Sequence, residues 1–247
     1  MSKTVIFKKS NSKNGAILGN KVLILPHRYI PMYKLLRFML ILLLLPIIPV
    51  VAYKWINPPF TAIQWDQRAL RAEEGHWLSL NEIPDIFEKA VIAAEDQRFF
   101  QHSGFDFEAI EKALEHNKRG KTKRGASTIS QQTAKNIFLW EGRSWLRKGL
   151  ETYMTFWMEL LWNKARILEV YINVVEMGRG AFGISEAARY YYKTQAQQLS
   201  YQQCINIASM LPCPRTCGIN HRISRRRQQL INRTIRRYGV ELSYKND

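Results

Sequence analysis

An apolar run near the amino terminus constrains this chain more than any other feature. Residues 38–53 read FMLILLLLPIIPVVAY and carry no charge, and Arg37 and Lys54 flank them. These 16 residues are slightly short of the roughly 20 that a membrane-spanning helix needs. Apolar neighbours on both sides extend the run, and Arg37 can reach the interface with its charged end. The sequence therefore predicts one transmembrane helix over residues 37–56.

Charge differs sharply between the two sides of this run. The first acidic residue is Asp66, and eight lysines and arginines precede residue 38. The positive-inside rule then places the amino terminus in the cytoplasm and the remainder across the membrane. The alternative is a signal peptide cleaved after Ala52, but a charged region of more than 30 residues is too long for an ordinary signal. The expected organisation is a basic cytoplasmic tail, an anchor and an exported domain, over residues 1–36, 37–56 and 57–247.

The composition of the exported part indicates a mainly α fold and anionic partners. The 247 residues carry a formal charge of +17, which favours nucleic acid, a membrane surface or phosphorylated substrates. Apolar residues recur at helical spacing in several segments, and alternating stretches are few. In residues 144–162 the apolar positions Leu146, Leu150, Met154, Trp157 and Leu161 share one predicted face. The predicted helical segments are 84–100, 128–139, 144–162, 164–177, 197–211 and 222–237.

Three cysteines and a glycine pattern are further candidate signals for a site. Cys213 and Cys217 could close a small disulfide loop in an oxidising compartment, which would leave Cys204 free; no spacing suits zinc. Residues 178–183, GRGAFG, match a dinucleotide-binding pattern. However, a helical segment precedes them, and the acid expected about 20 residues later is missing. We expect a glycine-rich turn between helices there.

Two adjacent acids end the first helical stripe of the exported part. In AAEDQRFFQHSGFD, residues 93–106, Val91 and Ala94 belong to the stripe, so Glu95 falls at its edge. Asp96 diverges from Glu95 by about 100° on a helix and is expected to hold the following turn. Glu95 is either a solvated helix end or a carboxylate aimed into a cleft to move a proton.

Two further clusters carry polar and charged groups. Thr128 and Gln131 fit a capping box, so a helix should begin there with free N–H groups that attract phosphate. Lys135 lies a turn or two further on. In RKGLE, Glu151 follows Arg147 by four residues and Lys148 by three, so all three can meet on one helix flank, at the boundary of core and solvent. Taken singly, these are a capped helix and a surface ion pair of little energetic value.

Taken together, the motifs resemble a known family. EDQRFFQHSGFD, GASTISQQTAKNIFL, RKGLE and KARILEVYIN occur in the order and spacing of the family fifty-one glycosyltransferases, the peptidoglycan polymerases, over roughly residues 66–235. The resemblance implies a lysozyme-like, mainly α domain with a small membrane-proximal subdomain. It implies transfer of the growing lipid-linked glycan to the 4-hydroxyl of lipid II, with inversion and release of polyprenyl diphosphate. It also implies a single-pass protein of the bacterial inner membrane with a periplasmic catalytic domain.

The same resemblance implies roles for individual residues. Glu95 is the general base, and Glu151 is a second essential carboxylate near the diphosphate. The residues implied in substrate binding are Ser127, Gln132, Lys135, Arg143 and Lys148. A divalent cation, Mg²⁺ or Mn²⁺, is the implied cofactor, with Glu151 its candidate ligand, and no organic cofactor is expected. The implied partners are lipid II, the nascent glycan strand, membrane lipids and proteins of cell-wall synthesis or division.

Two alternatives belong to other functional classes. A muramidase or lytic transglycosylase would need a protonated acid for its poor leaving group, whereas the cations around Glu151 would keep that carboxylate ionised. A nucleic-acid-binding protein would use the seven arginines of residues 222–237. No recognition fold or aromatic platform accompanies those arginines, so we expect that helix to face solvent or anionic headgroups, without a nucleic-acid partner.

Overall fold

The fold is taken from a computed structural model of the chain, which describes most of the sequence. The described residues are 16–18, 21–23, 32–59, 61, 76–120, 125–142 and 144–245. Most of the predicted cytoplasmic tail and the predicted substrate-binding residue Arg143 lie outside them. The chain divides into two units, Met1–Leu45 and Pro46–Asp247, which are described separately.

The first unit contains a small hairpin and an apolar helix. Strands β1 (Ala16–Leu18) and β2 (Lys21–Leu23) pair antiparallel, with Ile17 opposite Val22. Helix α1 (Met32–Leu44) has no buried residue, although nearly all of its side chains are apolar. Such a surface is what a lipid-facing helix presents.

Among the residues that the structure describes, one helical stretch is long and apolar enough to span a membrane. It runs over Met32–Ala52, 21 residues near the amino terminus. It begins before the predicted residue 37 and ends before residue 56, because Tyr53–Trp55 form a turn. The stretch is compatible with a single-pass anchor.

The second unit is mainly α, as the sequence predicted. Its described helices and strands are α2 (Ile47–Ala52), α3 (Asp85–Glu95), α4 (Phe107–Lys118), α5 (Ile129–Phe138), α6 (Trp145–Leu161), α7 (Lys164–Val174), β3 (Glu176–Gly178), β4 (Ala181–Phe182), α8 (Gly183–Tyr192), α9 (Tyr201–Ala208) and α10 (Arg222–Tyr238). Short 3₁₀ turns cover Leu80–Glu82, Ala196–Gln198 and Ser243–Lys245.

The core of this unit forms around α5 and α7. Helix α5 packs against α6 and α7, and α3 packs against α9 and α10. Ile129, Ala134 and Tyr171 are completely buried in this core. This packing brings α5 and α10 close to the carboxylate of Glu95, the last residue of α3.

The second unit begins before the predicted boundary at residue 57, because α2 is held by the helices behind it. Val50 is completely buried, and the Trp162 indole Nε1 donates to the Val50 carbonyl oxygen over 2.8 Å. The Arg166 guanidinium donates to the carbonyl oxygens of Tyr53 and Ile56, both over 3.0 Å. These contacts satisfy carbonyls in the last turn of α2 and just after its end.

Two local predictions were wrong. The predicted helix over 164–177 ends at Val174. The glycine-rich turn predicted between helices is confirmed, since Gly180, with a φ of +76°, turns the chain there, and the short strands β3 and β4 flank it. In α6 the buried face contains Glu151, Met154, Thr155 and Met158, while the predicted core residue Leu146 is 69% exposed. The apolar residues of α6 form an arc wider than one packing face, and the face that packs lies at its edge and includes the polar Glu151 and Thr155, so the helical period did not identify it.

Candidate functional site

Glu95, the last residue of α3, is held by side chains from two other helices. Its Oε1 accepts a hydrogen bond from Arg227 Nη2 of α10 over 2.6 Å. Its Oε2 accepts from Gln132 Nε2 of α5 over 2.9 Å. The Gln132 Oε1 in turn accepts from the Tyr171 hydroxyl of α7 over 3.2 Å. Both carboxylate oxygens are therefore oriented by partners far away in the sequence.

The environment of Glu95 favours its neutral form more than water does. Burial raises the pKa of Glu95 above its ordinary value, and the Arg227 charge and the Gln132 hydrogen bond offset part of that rise. Only 14% of the side chain is exposed. A fixed carboxylate with a raised pKa can accept a proton from a weakly acidic group more readily than a solvated one.

The sequence pattern did not single out Arg227, and we expected its helix to face solvent or headgroups. That expectation is wrong for Arg227, which is half-buried and also donates to the Ala94 carbonyl oxygen over 3.2 Å. A signal was available in the sequence, because Arg227 lies four residues before the apolar Ile231. The structure buries Ile231, and also Ser224, three residues before Arg227. This spacing places Arg227 on the inner face of the helix.

Asp96 holds the turn after α3, as predicted. Its carboxylate contacts His102 Nε2 at 3.0 and 3.1 Å, and its Oδ2 accepts from the Ile129 backbone N–H over 3.1 Å. The Thr128 hydroxyl donates to the Gly104 carbonyl oxygen over 2.6 Å. The two adjacent acids thus serve different purposes, since Asp96 ties the turn to the start of α5 and Glu95 faces Arg227.

The capping box at the start of α5 is confirmed. Thr128 Oγ1 accepts from the Gln131 N–H, and Gln131 Oε1 accepts from the Thr128 N–H. The expectation that this helix end offers free N–H groups to phosphate is wrong for two of them. The Ile129 and Gln131 amides already donate to Asp96 and Thr128, so an internal carboxylate takes the place expected for an external anion.

A cluster of cations surrounds the second predicted carboxylate. Glu151 of α6 is buried, Arg147 Nη1 donates to its Oε2 over 3.0 Å, and Lys148 Nζ contacts its Oε1. Burial lowers the pKa of Lys135 on α5, while the Glu151 charge partly offsets this and the Arg147 charge adds to it. Lys135 therefore shares the field of this group, which we call the cation cluster: Lys135, Arg147, Lys148 and Glu151.

Helix α5 connects the two groups. Gln132 and Lys135 are three residues apart and so lie on the same helix face. Gln132 contacts Glu95, while Lys135 lies within the field of Glu151. The arrangement can place a proton acceptor beside a region of positive potential, which suits a substrate with a hydroxyl and a polyanionic group.

The remaining predicted site residues stand apart from these contacts. Ser127 precedes the α5 cap and is exposed, and among the described residues no hydrogen bond connects it to Glu95 or to the cation cluster. Arg143 lies outside the described residues. The structure therefore brings together Glu95 with Gln132, and Lys135 with Lys148 and Glu151.

The residues around Glu151 do not fit a divalent cation on their own. Hard cations take several oxygen ligands, usually from more than one carboxylate. No group of three or more histidine, cysteine, aspartate or glutamate side chains able to hold a metal occurs in the part of the chain that the structure describes. Both Glu151 oxygens are engaged by Arg147 and Lys148. A nearby cation would meet three positive side chains.

Comparison with known proteins identifies close relatives. A family model described as Transglycosylase matches residues 63–236. A Pseudomonas aeruginosa protein is 45% identical over 188 residues, which is 73% of this chain and 81% of that relative. A Pasteurella multocida protein is 43% identical over 218 residues, 84% of this chain and 89% of the relative. Both are named biosynthetic peptidoglycan transglycosylase, as is a Bdellovibrio bacteriovorus protein with 44% identity over 196 residues.

Proposed function

The chain belongs to the transglycosylase family, and on that premise we propose that Glu95 is the base of its glycan polymerisation reaction. Family membership makes the protein a peptidoglycan glycosyltransferase that polymerises glycan chains. Its substrates are lipid II and the growing glycan. The proposal assigns this chemistry to particular side chains.

One observation carries the role of Glu95: it is a buried carboxylate with a raised pKa whose two oxygens are fixed by Arg227 and Gln132. In the proposed step the acceptor 4-hydroxyl of lipid II gives its proton to Glu95. The hydroxyl oxygen attacks the anomeric carbon of the donor with inversion, and the bond from that carbon to the diphosphate oxygen breaks. Polyprenyl diphosphate leaves with the bonding electrons.

The cation cluster is proposed to bind the donor diphosphate. Three cations against one carboxylate leave a positive net charge, which would stabilise the negative charge that develops on the leaving group. Glu151 would hold Arg147 and Lys148 in place. Arg143 and Ser127 are proposed as further substrate contacts, on the resemblance alone. A divalent cation remains a prediction, and no step here runs through one.

A raised carboxyl pKa is also what the general acid of a glycan hydrolase requires. Two features favour the polymerase role for Glu95. The Arg227 guanidinium lies 2.6 Å from it and stabilises the ionised form. A diphosphate leaving group needs no proton, whereas an alkoxide does.

For the membrane arrangement we propose an inner-membrane protein with its amino terminus in the cytoplasm and the catalytic domain in the periplasm. The Met32–Ala52 helix and the basic residues before it support this orientation. A substrate that is anchored in the membrane by a polyprenyl tail suits an enzyme held at the same surface. Membrane lipids and other cell-wall synthesis or division proteins are proposed as partners.

The test compares Glu95→Gln with wild type and with Glu111→Gln, a change of an exposed glutamate on α4. Each full-length protein in detergent receives labelled lipid II, and glycan products are separated by length. Glu95→Gln should polymerise about 10²–10⁴-fold more slowly, a barrier increase of roughly 3–5 kcal/mol. Melting temperatures should stay close to wild type, and Glu111→Gln should keep full activity. Near-normal polymerisation by folded Glu95→Gln, or cleavage of preformed glycan by wild type, would reject the role.

A further inference from the structure

Arg215 connects three segments that are distant in the sequence. Its Nη2 contacts Glu141 Oε1 at 2.6 Å, and its Nε contacts Glu176 Oε2 at 2.7 Å. Arg215 lies in the connection between α9 and α10, Glu141 in the connection between α5 and α6, and Glu176 begins β3. One guanidinium therefore bridges two carboxylates, as its planar fork of donors allows.

The loop that carries Arg215 is closed covalently. Cys213 and Cys217 form a disulfide, and the Cys217 N–H also donates to the Cys213 carbonyl oxygen over 2.9 Å. Arg215 is the central residue of this five-residue ring. A short closed loop has few conformations, so Arg215 loses little further freedom when it forms its ion pairs.

Glu176 forms the fixed side of the bridge. Its side chain is only 10% exposed, and its second oxygen, Oε1, accepts from the Gly180 N–H of the β3–β4 hairpin over 3.0 Å. Glu141 is the more exposed side, with 37% of its side chain accessible. The bridge therefore holds an exposed carboxylate against a rigid part of the fold.

The position of Glu141 matters because it follows the helix that carries Lys135. Helix α5 ends at Phe138, and Gly142, with a φ of +119°, turns the chain directly after Glu141. Burial lowers the pKa of Lys135, and the charges that partly offset this include Glu141 as well as Glu151. Lys135 lies in the last turn of α5, and Glu141 follows three residues after the end of that helix, so Glu141 lies near the cation cluster. Without Arg215, its carboxylate would be drawn toward the same cations that a diphosphate needs.

We propose that Arg215, held in the Cys213–Cys217 loop, is a positioning residue that keeps Glu141 away from Lys135 and so preserves the cation cluster for the diphosphate substrate. The inference rests on the proposed diphosphate role of the cation cluster. Both partners of the Arg215–Glu141 pair are more than a third exposed. Such pairs add little to stability, so the effect belongs in substrate binding.

The experiment is a double-mutant cycle of Arg215→Ala, Glu141→Gln and the double variant, with Arg225→Ala as an exposed-arginine control. Steady-state polymerisation gives KM for lipid II and kcat for each protein. Arg215→Ala should raise KM about two- to fivefold, the size of one exposed charge interaction, with kcat nearly unchanged. Glu141→Gln in the Arg215→Ala background should return KM to the value of Glu141→Gln alone. Arg215→Lys should restore KM in part, and Arg225→Ala should match wild type.

Breaking the Cys213–Cys217 disulfide should also raise KM for lipid II. Cys213→Ser, or dithiothreitol on wild type, should raise KM less than Arg215→Ala does, and dithiothreitol should add nothing to Arg215→Ala. An unchanged KM in Arg215→Ala would overturn the inference, as would a double variant as impaired as Arg215→Ala. Lys135→Ala distinguishes diphosphate binding by the cation cluster from the positioning role of Arg215. An unchanged KM in Lys135→Ala would reject diphosphate binding by the cluster. If Lys135→Ala raises KM but Glu141→Gln does not lower the KM of Arg215→Ala, only the role of Arg215 is rejected.

Discussion

At the scale of single residues, Glu95 and Asp96 show how one peptide bond separates two functions. The Asp96 carboxylate contacts the His102 ring and accepts a hydrogen bond from the Ile129 N–H, so partners within the fold balance its charge. Glu95 faces a guanidinium and an amide, and its buried position keeps it less stable as an anion. A carboxylate that accepts a proton must not be fully stabilised as an anion, whereas a structural carboxylate is best held by partners that stabilise its charge.

Arg227 provides a test of this balance. Its positive charge opposes the rise that burial causes in the pKa of Glu95. Arg227→Gln should therefore raise the pKa of Glu95 further. A base acts only when deprotonated, so activity is present above the pKa and lost as pH falls through it. The acidic limb of the kcat/KM profile should move to higher pH in Arg227→Gln.

The control for this experiment is Arg226→Gln, because Arg226 is an exposed neighbour on the same helix. Its acidic limb should coincide with that of wild type. Polymerisation rates across pH 4 to 9, in one buffer series of constant ionic strength, supply the profiles. An acidic limb that stays in place or moves to lower pH in Arg227→Gln would contradict the assignment of Glu95 as the titrating base.

At the scale of elements, the turn between α3 and α4 is fitted closely to α6. Gly104 has a φ of +86°, and a Cβ placed there would lie 2.9 Å from Thr155 Cγ2 and 3.0 Å from Glu159 Cγ. Glu159 also contacts Ser130 and Lys164, so it has little freedom to withdraw. Only glycine meets both the backbone and the packing requirement at this position.

Gly104→Ala should consequently destabilise the protein by about 1–3 kcal/mol. It should also slow polymerisation, since the Gly104 carbonyl oxygen receives the Thr128 hydroxyl that starts α5. The comparison is Gly218→Ala, where an added Cβ meets nothing within 4 Å. Urea unfolding and polymerisation rates measure both effects. Equal stability of the two variants would mean that α6 yields to the extra methyl group.

At the scale of the whole molecule, residues near the carboxyl terminus are tied to the helix that carries Glu95. Lys245 Nζ contacts Asp85 Oδ1 at 2.7 Å and Glu88 Oε1 at 2.9 Å, both on α3. Glu88 is completely buried. Burial raises the pKa of Glu88 to about 7, although the Lys245 hydrogen bond and charge oppose this rise.

Glu88 should make stability fall as pH rises. Its folded pKa lies above the unfolded value of 4.5, so its contribution is fully present below pH 4.5 and is lost as pH rises through about 7. Glu88→Gln cannot titrate. Its free energy of unfolding relative to wild type should therefore increase by up to roughly 3 kcal/mol from pH 4 to pH 8. Urea unfolding of both full-length proteins at several pH values measures this difference, and parallel profiles would contradict it.

The anchor is expected to remain attached to the domain. Cleavage after Ala52 would remove Val50, whose carbonyl accepts from Trp162, together with the rest of α2. Intact-mass measurement of protein from membranes should therefore find residues 1–52 retained. A mature chain that starts at Tyr53 would show that the apolar run is a cleaved signal.

The sequence alone determined what depends on residues close together in the chain. The apolar run, the helical periods, the Thr128–Gln131 capping box and the edge position of Glu95 all arise within a few residues. The four family motifs are likewise local patterns, so they identified the family and its expected chemistry. The divalent cation, the membrane orientation and the protein partners stay predictions.

Only the tertiary structure decided which distant groups meet. Arg227 reaches Glu95 across 132 positions, and Arg215 reaches Glu141 across 74. The buried face of α6 was misjudged because the apolar arc of that helix is wider than one packing face and the face that packs also contains the polar Glu151 and Thr155. Local patterns constrain how each helix forms, but partners across helices depend on which faces pack against each other, and one-dimensional periodicity does not contain that information.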